Sequence, residues 1–231
     1  MITNDTDALV TLYAEELPQS YQYVRIGETL RDAGRRDEAI AWLRRGLSET
    51  DRPDSRIDLL LAELLTGKGE YAGAVGLHWK VFTARPESEF YRALLDAAER
   101  AWTLAEVAEQ ASAHLHERAA HGGHQAGPLV RVLMDSGDPD GAWQAAEKYR
   151  CSTGILFRIA EIRAKTHPAD AIPVLAIKVE DQIRMGTKGY AAAARIVAEI
   201  RDLHERAGCD FGVFFDDLKE NHRRKTSFIA P

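Results

Sequence analysis

The sequence predicts an all-α fold, a right-handed solenoid of about six helical hairpins. A small residue recurs as Ala39, Ala74, Ala108 and Ala142 at spacings of 35, 34 and 34, and Ala171 follows 29 residues later. Each of these alanines is predicted to lie near the start of a hairpin's second helix, where a small side chain lets two antiparallel helices approach closely. Helix-start and helix-stop residues separate these positions, and strand patterns are nearly absent. The period is typical of tetratricopeptide-type arrays.

The composition fits a helical array that buries one face of each hairpin against its neighbours. Hydrophobic residues make up 45% of the 231 positions and charged residues 29%, with a formal net charge of −6. Each repeat of a solenoid packs only on the adjacent repeats, so the length does not require separate globular domains. We therefore expect one helical superhelix over residues 1–231, with a soft break near 121–126. The acidic balance disfavours non-specific binding to nucleic acid.

The compartment is inferred from absent signals. The first residues show neither the basic nor the apolar segment of a signal peptide, and no apolar run approaches the roughly 20 residues that cross a bilayer. Cys151 and Cys209 are isolated, which argues against a disulfide framework or a cysteine zinc cage. The sequence thus predicts a cytoplasmic protein without membrane contact.

The first two hairpins carry the clearest signals. Thr6 or Asp7 is expected to cap a short N-terminal helix that ends at Pro18. In the first hairpin Gly34 ends one helix, and acidic residues at 37 and 38 favour the start of the next one through the helix dipole. The second hairpin matches the tetratricopeptide pattern best, through residues that fall at the turn glycine, aromatic, alanine and terminal proline positions: Gly69, Tyr71, Ala74 and Pro86.

The later hairpins are predicted from helix caps. The third lacks a turn glycine, but the segment 103–106 reads as a capping box, and its second helix is expected to stop at 122–123. The fourth turn places Asp138 as N-cap before Pro139, and Pro168 follows a similar turn in the fifth. The sixth hairpin begins near Thr187, has an apolar stripe, and ends in residues expected to seal the core: Ile196, Val197, Ile200, Leu203, Phe211, Phe214, Phe215 and Leu218.

Five segments in collinear order resemble the C-terminal helical region of bacterial SWIM zinc-finger family proteins. They are 51–56, Trp79 to Leu94, 166–171, 201–204 and 221–225, and the resemblance extends from about Tyr21 to about Ile229. Family members carry a Cys-x-Cys and Cys-x-His zinc finger before this region, and the finger is thought to bind nucleic acid or protein. This sequence contains no Cys-x-Cys. It is either a stand-alone helical member or a fragment, and neither the metal nor a nucleic-acid activity is carried over.

A candidate binding surface follows from the repeat frame. In tetratricopeptide hairpins, first-helix residues that do not pack in the core line a concave groove. Projecting the frame along the chain places eight residues there: Tyr21, Glu28, Arg31, Arg56, Glu63, Arg100, Arg131 and Arg163. A line of arginines is suited to bind carboxylates of a peptide or protein bidentately. The alternative is that the arginines are solvated or paired with neighbouring glutamates, each pair contributing little.

The sequence shows no motif that indicates catalysis or metal binding. Residues two apart on a helix diverge, so His114 and His116 cannot share one ion, and His121 and His124 flank a glycine pair. No nucleophile elbow, phosphate loop or metalloprotease motif is found. Cys151 precedes a predicted helix start, where a thiol pKa can fall, yet the sequence implies no nearby base. We expect no enzyme activity, no cofactor and no metal.

The expected function is a non-catalytic scaffold that binds a protein or peptide in its groove. The alternative is a nucleic-acid-associated accessory module related to SWIM zinc-finger proteins. Its only local support is the basic C-terminal segment, which contains Lys219, His222, Arg223, Arg224 and Lys225. Cations in such a position also offset the dipole at a helix C-terminus.

Overall fold

The computed structural model describes residues 2–223, with side chains from residue 5 onward. Within this range the chain forms thirteen α-helices and a short 3-10 turn, and one isolated bridge joins Gly123 to Cys151. The helices are α1 Ile2–Ala14, α2 Ser20–Asp32, α3 Arg36–Glu49, α4 Ser55–Lys68, α5 Tyr71–Ala84, α6 Ser88–Arg100, α7 Leu104–Ala119, α8 Gly127–Asp135, α9 Pro139–Lys148, α10 Thr153–Arg163, α11 Pro168–Arg184, α12 Thr187–Ala207 and α13 Phe211–Asn221.

The described helices pair as six hairpins, from α2–α3 to α12–α13, after the single helix α1. The predicted all-α class and the number of hairpins are therefore confirmed. The chain divides into two compact units, Met1–His116 and Glu117–Pro231. The prediction of one continuous superhelix, with a soft break near 121–126, stays a prediction. None of the helices in residues 2–223 is long and apolar enough to cross a membrane.

The first unit is built by helices that follow one another in sequence and pack side by side. Each hairpin packs on the next, and the first helices α2 and α4 also contact each other. Tyr23 and Ile26 of α2, Leu43 of α3 and Ile57 of α4 are completely buried between them. The Tyr23 hydroxyl bonds to the Glu49 carboxylate at 2.5 Å, and burial is the main reason that its pKa rises to about 12.

The N-terminal helix begins earlier than the sequence suggested. α1 starts at Ile2, so neither Thr6 nor Asp7 caps it. Thr6 is only 6% exposed and lies on the packed face of the helix, while the Asp7 carboxylate pairs with Arg35 of the following hairpin. Both side chains are engaged in tertiary contacts, which prevail over their preference for a cap.

The recurring small residue takes the fourth position of the second helix in four of the hairpins. Ala39, Ala74, Ala142 and Ala171 all occupy it, and all are completely buried. In the third hairpin Val107 holds this position at 7% exposure, while Ala108 is only partly buried. The prediction for Ala108 was therefore wrong by one residue, because α7 starts at 104, 33 residues after the start of α5.

The turns inside the first four hairpins share one backbone conformation. A residue with left-handed φ follows the first helix, and the next amide donates to a carbonyl five residues back, as in a Schellman motif. Glycine has that conformation in the first, second and fourth hairpins, and a tryptophan has it in the third. The residues are Gly34 (φ 76°), Gly69 (84°), Trp102 (61°) and Gly137 (80°). The hairpin that lacks a turn glycine thus keeps the turn itself.

The second unit confirms the predicted caps. Asp138 accepts a hydrogen bond from the Gly141 amide, and Pro139 is the first residue of α9. Pro168 opens α11 in the same way after the predicted turn. Helix α12 begins at Thr187, its C-cap Gly208 is left-handed, and the last helix follows the N-cap Asp210.

The last helix closes the core only in part. Leu218 is buried, and Phe211 and Phe214 pack on the buried ring of His204, with ring centroids 5.7 Å apart in each case. Phe215 stacks on Phe211 at 5.4 Å but stays 39% exposed. On the preceding helix, Ile200 and Leu203 of the predicted apolar stripe are buried, whereas residues 196 and 197 are half-buried.

Candidate functional site

In the first unit the structure brings together the groove residues predicted on α2 and α4. Arg31 of α2 forms an ion pair with Glu63 of α4 at 3.5 Å, and the guanidinium of Arg56 lies 5.3 Å from the ring centroid of Tyr21. The Arg31 pKa is raised chiefly by its bond to Asp32, with smaller effects of Glu63 and of Glu28. We call these five predicted residues the α2–α4 face: Tyr21, Glu28, Arg31, Arg56 and Glu63.

The arginines of the α2–α4 face are already bound to carboxylates of the same unit. Arg56 makes two-atom contact with Asp54, through Nε at 3.0 Å and a terminal nitrogen at 2.6 Å. Asp54 also caps α4 by accepting from the Arg56 amide, and the bond to the guanidinium is the main cause that lowers its pKa. A ligand carboxylate would have to displace these partners, which reduces the net gain from each new bond.

The ring of Tyr21 is nevertheless accessible. It is 48% exposed, and the guanidinium of Arg25 lies 5.7 Å from its centroid, in addition to that of Arg56. Arg25 itself is held over the Tyr13 ring at 3.9 Å and donates to the Tyr13 hydroxyl. The α2–α4 face is therefore a charged surface with an aromatic ring among cations rather than a row of free arginines.

The second unit contains a groove of about 630 Å³ between α8 and α10, the first helices of two consecutive hairpins. We call it the α8–α10 groove. Its lining includes Arg131, one of the predicted binding residues. The other lining residues are His124, Val130, Met134, Asp135, Ser152, Gly154, Ile155, Arg158, Ile159 and Ile162.

The α8–α10 groove combines an apolar floor with two exposed cations. Val130 and Ile159 are buried beneath it, and Ile162 presents its side chain with 39% exposure. Arg131 and Arg158 are both exposed, and neither guanidinium forms a hydrogen bond or ion pair with any residue in the described range. The groove therefore offers apolar contact and charge-assisted hydrogen bonds to the same ligand.

The sequence predicted Arg163 as a residue of the binding groove and gave no indication of Arg158. The structure engages Arg163 within the fold: its Nε donates to Asp170 at 2.8 Å, and a terminal nitrogen bonds to Asp140. The side chain is only 14% exposed and lies 5.9 Å from the Trp143 ring centroid. Arg163 thus connects α10 to α9 and α11 and does not line the α8–α10 groove.

Arg100 also lies away from the α2–α4 face. It ends α6 and borders a surface depression beside the turns of the second and third hairpins, together with Tyr71 and Trp102. The Arg100 guanidinium has no hydrogen bond or ion pair with another described residue. The eight predicted residues are thus distributed over the α2–α4 face, this depression, the α8–α10 groove and the Arg163 ion pairs.

The α8–α10 groove also holds a serine, a histidine and an acid. Ser152, His124 and Asp135 line it, but no hydrogen bond joins any two of these side chains. A serine nucleophile needs a base within about 2.6–3.2 Å, and the base needs an orienting partner. The observed arrangement therefore gives no support for nucleophilic catalysis.

Two other candidate residues, His114 and Cys151, are partly buried within the fold. His114 packs edge-on against Trp79 and Phe82, with ring centroids 6.4 and 5.9 Å away. Burial raises the pKa of the Cys151 thiol, the opposite of what a nucleophile requires. Within residues 2–223 no three His, Cys, Asp or Glu side chains are grouped so as to hold a metal ion.

The described part of the basic C-terminal segment is paired with acids. Lys219 bonds to Asp216 at 2.7 Å and Arg223 to Glu220 at 2.9 Å, each three residues apart on α13 or at its end. Arg224 and Lys225 lie outside the described residues. The cations that the structure describes here are thus locally neutralised.

Comparison with known proteins does not assign this chain to a family. No family model matches the chain, and a search of curated proteins found no match. Among solved structures, the Naa15/Naa10 complex bound to HypK-THB matches with a TM-score of 0.40 and 17% identity, over 97% of this chain and 36% of that one. The human IFIT1 dimer with m7Gppp-AAAA matches with a TM-score of 0.33 and 14% identity, over 92% and 55% respectively. This chain spans about a third to a half of the length of those two chains.

Proposed function

We propose that this chain is a non-catalytic interaction module that binds a peptide segment of a partner protein in the α8–α10 groove. The observation that carries the proposal is a pair of arginines, Arg131 and Arg158, which have no side-chain partner among the described residues and lie beside an apolar floor. An unpaired guanidinium binds a carboxylate without first losing an internal partner. A bound segment would place an apolar side chain against Ile162 and its acidic groups on the arginines.

The groove has the dimensions and chemistry of a binding site. Its volume of about 630 Å³ falls within the range of about 300–1,000 Å³ typical of ligand pockets. Two helices form its walls, and their core residues Leu129 and Ala160 are buried, so the groove rests on a packed scaffold. A rigid groove binds a flexible peptide with less loss of conformational entropy on the side of the protein.

The α2–α4 face belongs to the same proposal as a second contact region for protein. Its support is the exposed Tyr21 ring and the charges around it. Because Asp54 already holds Arg56, we expect a smaller contribution from this face than from the α8–α10 groove. Arg56→Glu should therefore weaken a partner less than charge reversal at Arg131 or Arg158 does.

The proposal is tested by charge reversal against a named partner. Affinity purification from the native cell with mass spectrometry identifies the partner, and its binding segment is then titrated by calorimetry. Arg131→Glu and Arg158→Glu should each weaken binding by about 1.5–3 kcal/mol, roughly 10- to 150-fold, without changing Tm. Arg184→Glu, an exposed change on α11, is the control and should leave binding intact. Unchanged affinity in both groove variants would contradict the proposal.

A further inference from the structure

The turn of the third hairpin places a tryptophan in a strained and almost fully exposed position. Trp102 has a φ of 61° and a side chain 95% exposed to solvent. A positive φ is uncommon for any residue other than glycine and is a clear outlier for a bulky one. In the other three turns of the first four hairpins, glycine occupies this position with the same backbone hydrogen bonds.

Neither packing nor the turn accounts for this tryptophan. Its ring contributes no burial to the core, and glycine would form the same Schellman turn without strain. A residue that costs stability and contributes no packing persists where it serves binding. Trp102 therefore has the character of a contact residue rather than a structural one.

The surroundings of Trp102 form a small binding surface. A depression of about 360 Å³ lies beside it and is lined by Tyr71 and Arg100. Tyr71 is 36% exposed and Leu104, the first residue of α7, is 39% exposed. The acid in the depression, Glu70, is already paired with Lys68 at 3.3 Å and with Arg44 at 3.5 Å, which leaves the guanidinium of Arg100 as its unpaired charge among the described residues.

We propose that Trp102, Tyr71 and Arg100 form a further protein-docking site, distinct from the α8–α10 groove and the α2–α4 face, for a segment that presents an apolar side chain next to a carboxylate. The Trp102 ring supplies a large contact area at low entropic cost, as aromatic anchors do at interfaces. Arg100 supplies the donors for the carboxylate. The unpaired positive charge selects an acidic partner over a basic one.

Because the left-handed φ of Trp102 is strained, substitutions at this position can separate an effect on binding from an effect on folding. Trp102→Gly removes the ring and relieves the positive φ, so its Tm should rise by about 2–4 °C. Trp102→Ala removes the ring but keeps the left-handed strain, so its Tm should stay near that of the wild type. Arg150→Gly is the matched control, because Arg150 is the other non-glycine residue with positive φ (48°) among those described. It should raise Tm without affecting this site.

Binding is measured on the whole 231-residue chain with arrayed 12-residue peptides. Each peptide carries one central Leu, Ile or Phe with an Asp or Glu one to four positions away. Matched versions carry the corresponding amide, or Ala at the centre. We expect wild type and Arg150→Gly to bind the apolar-acidic peptides, and both Trp102→Gly and Trp102→Ala to lose at least tenfold in affinity. Arg100→Ala should bind acidic and amide versions alike. Every protein in this comparison also carries Arg131→Glu and Arg158→Glu, so that the α8–α10 groove, which is proposed to take a similar ligand, does not contribute to the measured affinity.

Three results would overturn the proposal. A fall in Tm for Trp102→Gly would mean that the ring stabilises the fold. Wild-type affinity in Trp102→Ala would mean that the ring takes no part in docking. Failure of the wild type to bind any apolar-acidic peptide better than its alanine-centred match would exclude the stated ligand chemistry.

Discussion

The recurring alanine controls how closely the two helices of a hairpin approach. Ala74 is completely buried at the fourth position of α5, whereas Ala108, one residue beyond the equivalent position of α7, is only partly buried. Ala74→Leu should therefore overpack the helix contact and lower the free energy of unfolding by about 1–3 kcal/mol. Ala108→Leu is the control and should change it by about 0.5 kcal/mol or less. Urea denaturation measures both, and equal losses would contradict the observed one-residue shift.

Ala74 and Ala108 also show how accurately the repeat period predicts which residues are buried. Periodicity identifies a buried small residue in four hairpins, because burial at Ala39, Ala74, Ala142 and Ala171 depends on a regular helix position. It fails at Ala108, since α7 begins 33 residues after α5, whereas the alanine spacing is 34. The equivalent position in α7 is therefore Val107.

Asp54 links a helix cap to an ion pair and gives the first unit a pH-dependent contact. Its carboxylate caps α4 and binds the Arg56 guanidinium, and this bond holds its pKa below the ordinary value of 3.8. A lowered pKa in the folded state means that the stabilisation is present above the unfolded-state value and is lost as pH falls through the folded-state value. The effect is therefore confined to pH values below about 4–5.

Asp54→Asn isolates the ion pair, because asparagine also caps helices well. The Tm of the wild type should exceed that of Asp54→Asn by a constant amount from about pH 6 to pH 8. The difference should shrink as the pH is lowered through the folded-state pKa of Asp54. Thermal scans of both proteins across this range measure it. A difference that grows on acidification would contradict the sign of the pKa shift.

At the scale of elements, helix α10 carries two arginines with different tasks. Arg163 joins α10 to α9 and α11 through Asp140 and Asp170, whereas Arg158 lines the α8–α10 groove and pairs with no acid in the described part of the chain. Arg163→Ala leaves two acids without their cation and should lower Tm. Arg158→Ala should leave Tm unchanged and reduce affinity for the partner. Differential scanning calorimetry separates the two, and an equal loss of stability would assign both arginines to the fold.

The sequence could not assign these two roles because the repeat length changes in this region. Helix α10 begins at 153, only 26 residues after α8 begins at 127, whereas α4 begins 35 residues after α2. Adding the 34- or 35-residue period to Arg131 gives position 165 or 166, so the projection passes over Arg158. The N-cap Asp138 and the helix-start residue Pro168 were predicted correctly, since helix starts depend on local backbone chemistry rather than on the repeat length.

At the scale of the whole molecule, the fold follows from the sequence more readily than the binding surfaces do. Burial imposes a helical period along every hairpin, so helices and turns are visible in the order of residues. Whether an exposed arginine is free depends on carboxylates that distant helices bring near it, as Glu63 of α4 does for Arg31 of α2. This is why sequence predicts the helical class well but spreads the candidate site over several unrelated surfaces.

The charge balance of the chain favours a protein partner over nucleic acid. The formal net charge is −6, and the described cations of the C-terminal segment are paired with Asp216 and Glu220. Binding to a nucleic acid backbone requires several cations that release counterions, and its affinity falls steeply as salt rises. We therefore expect no detectable binding to generic duplex DNA or RNA, even at low salt.

Fluorescence anisotropy with labelled 25-mer duplexes at about 50 and 200 mM salt tests this expectation, because a protein that contacts 6–10 phosphates loses about 10³–10⁵ in affinity between them. Arg224→Glu, in the part of the chain outside the described residues, serves as the discriminating variant. A salt-dependent affinity that Arg224→Glu abolishes and Arg131→Glu leaves intact would move the functional surface to the basic C-terminus. It would also replace the scaffold role with a nucleic-acid-associated one, since the α8–α10 groove would then be dispensable.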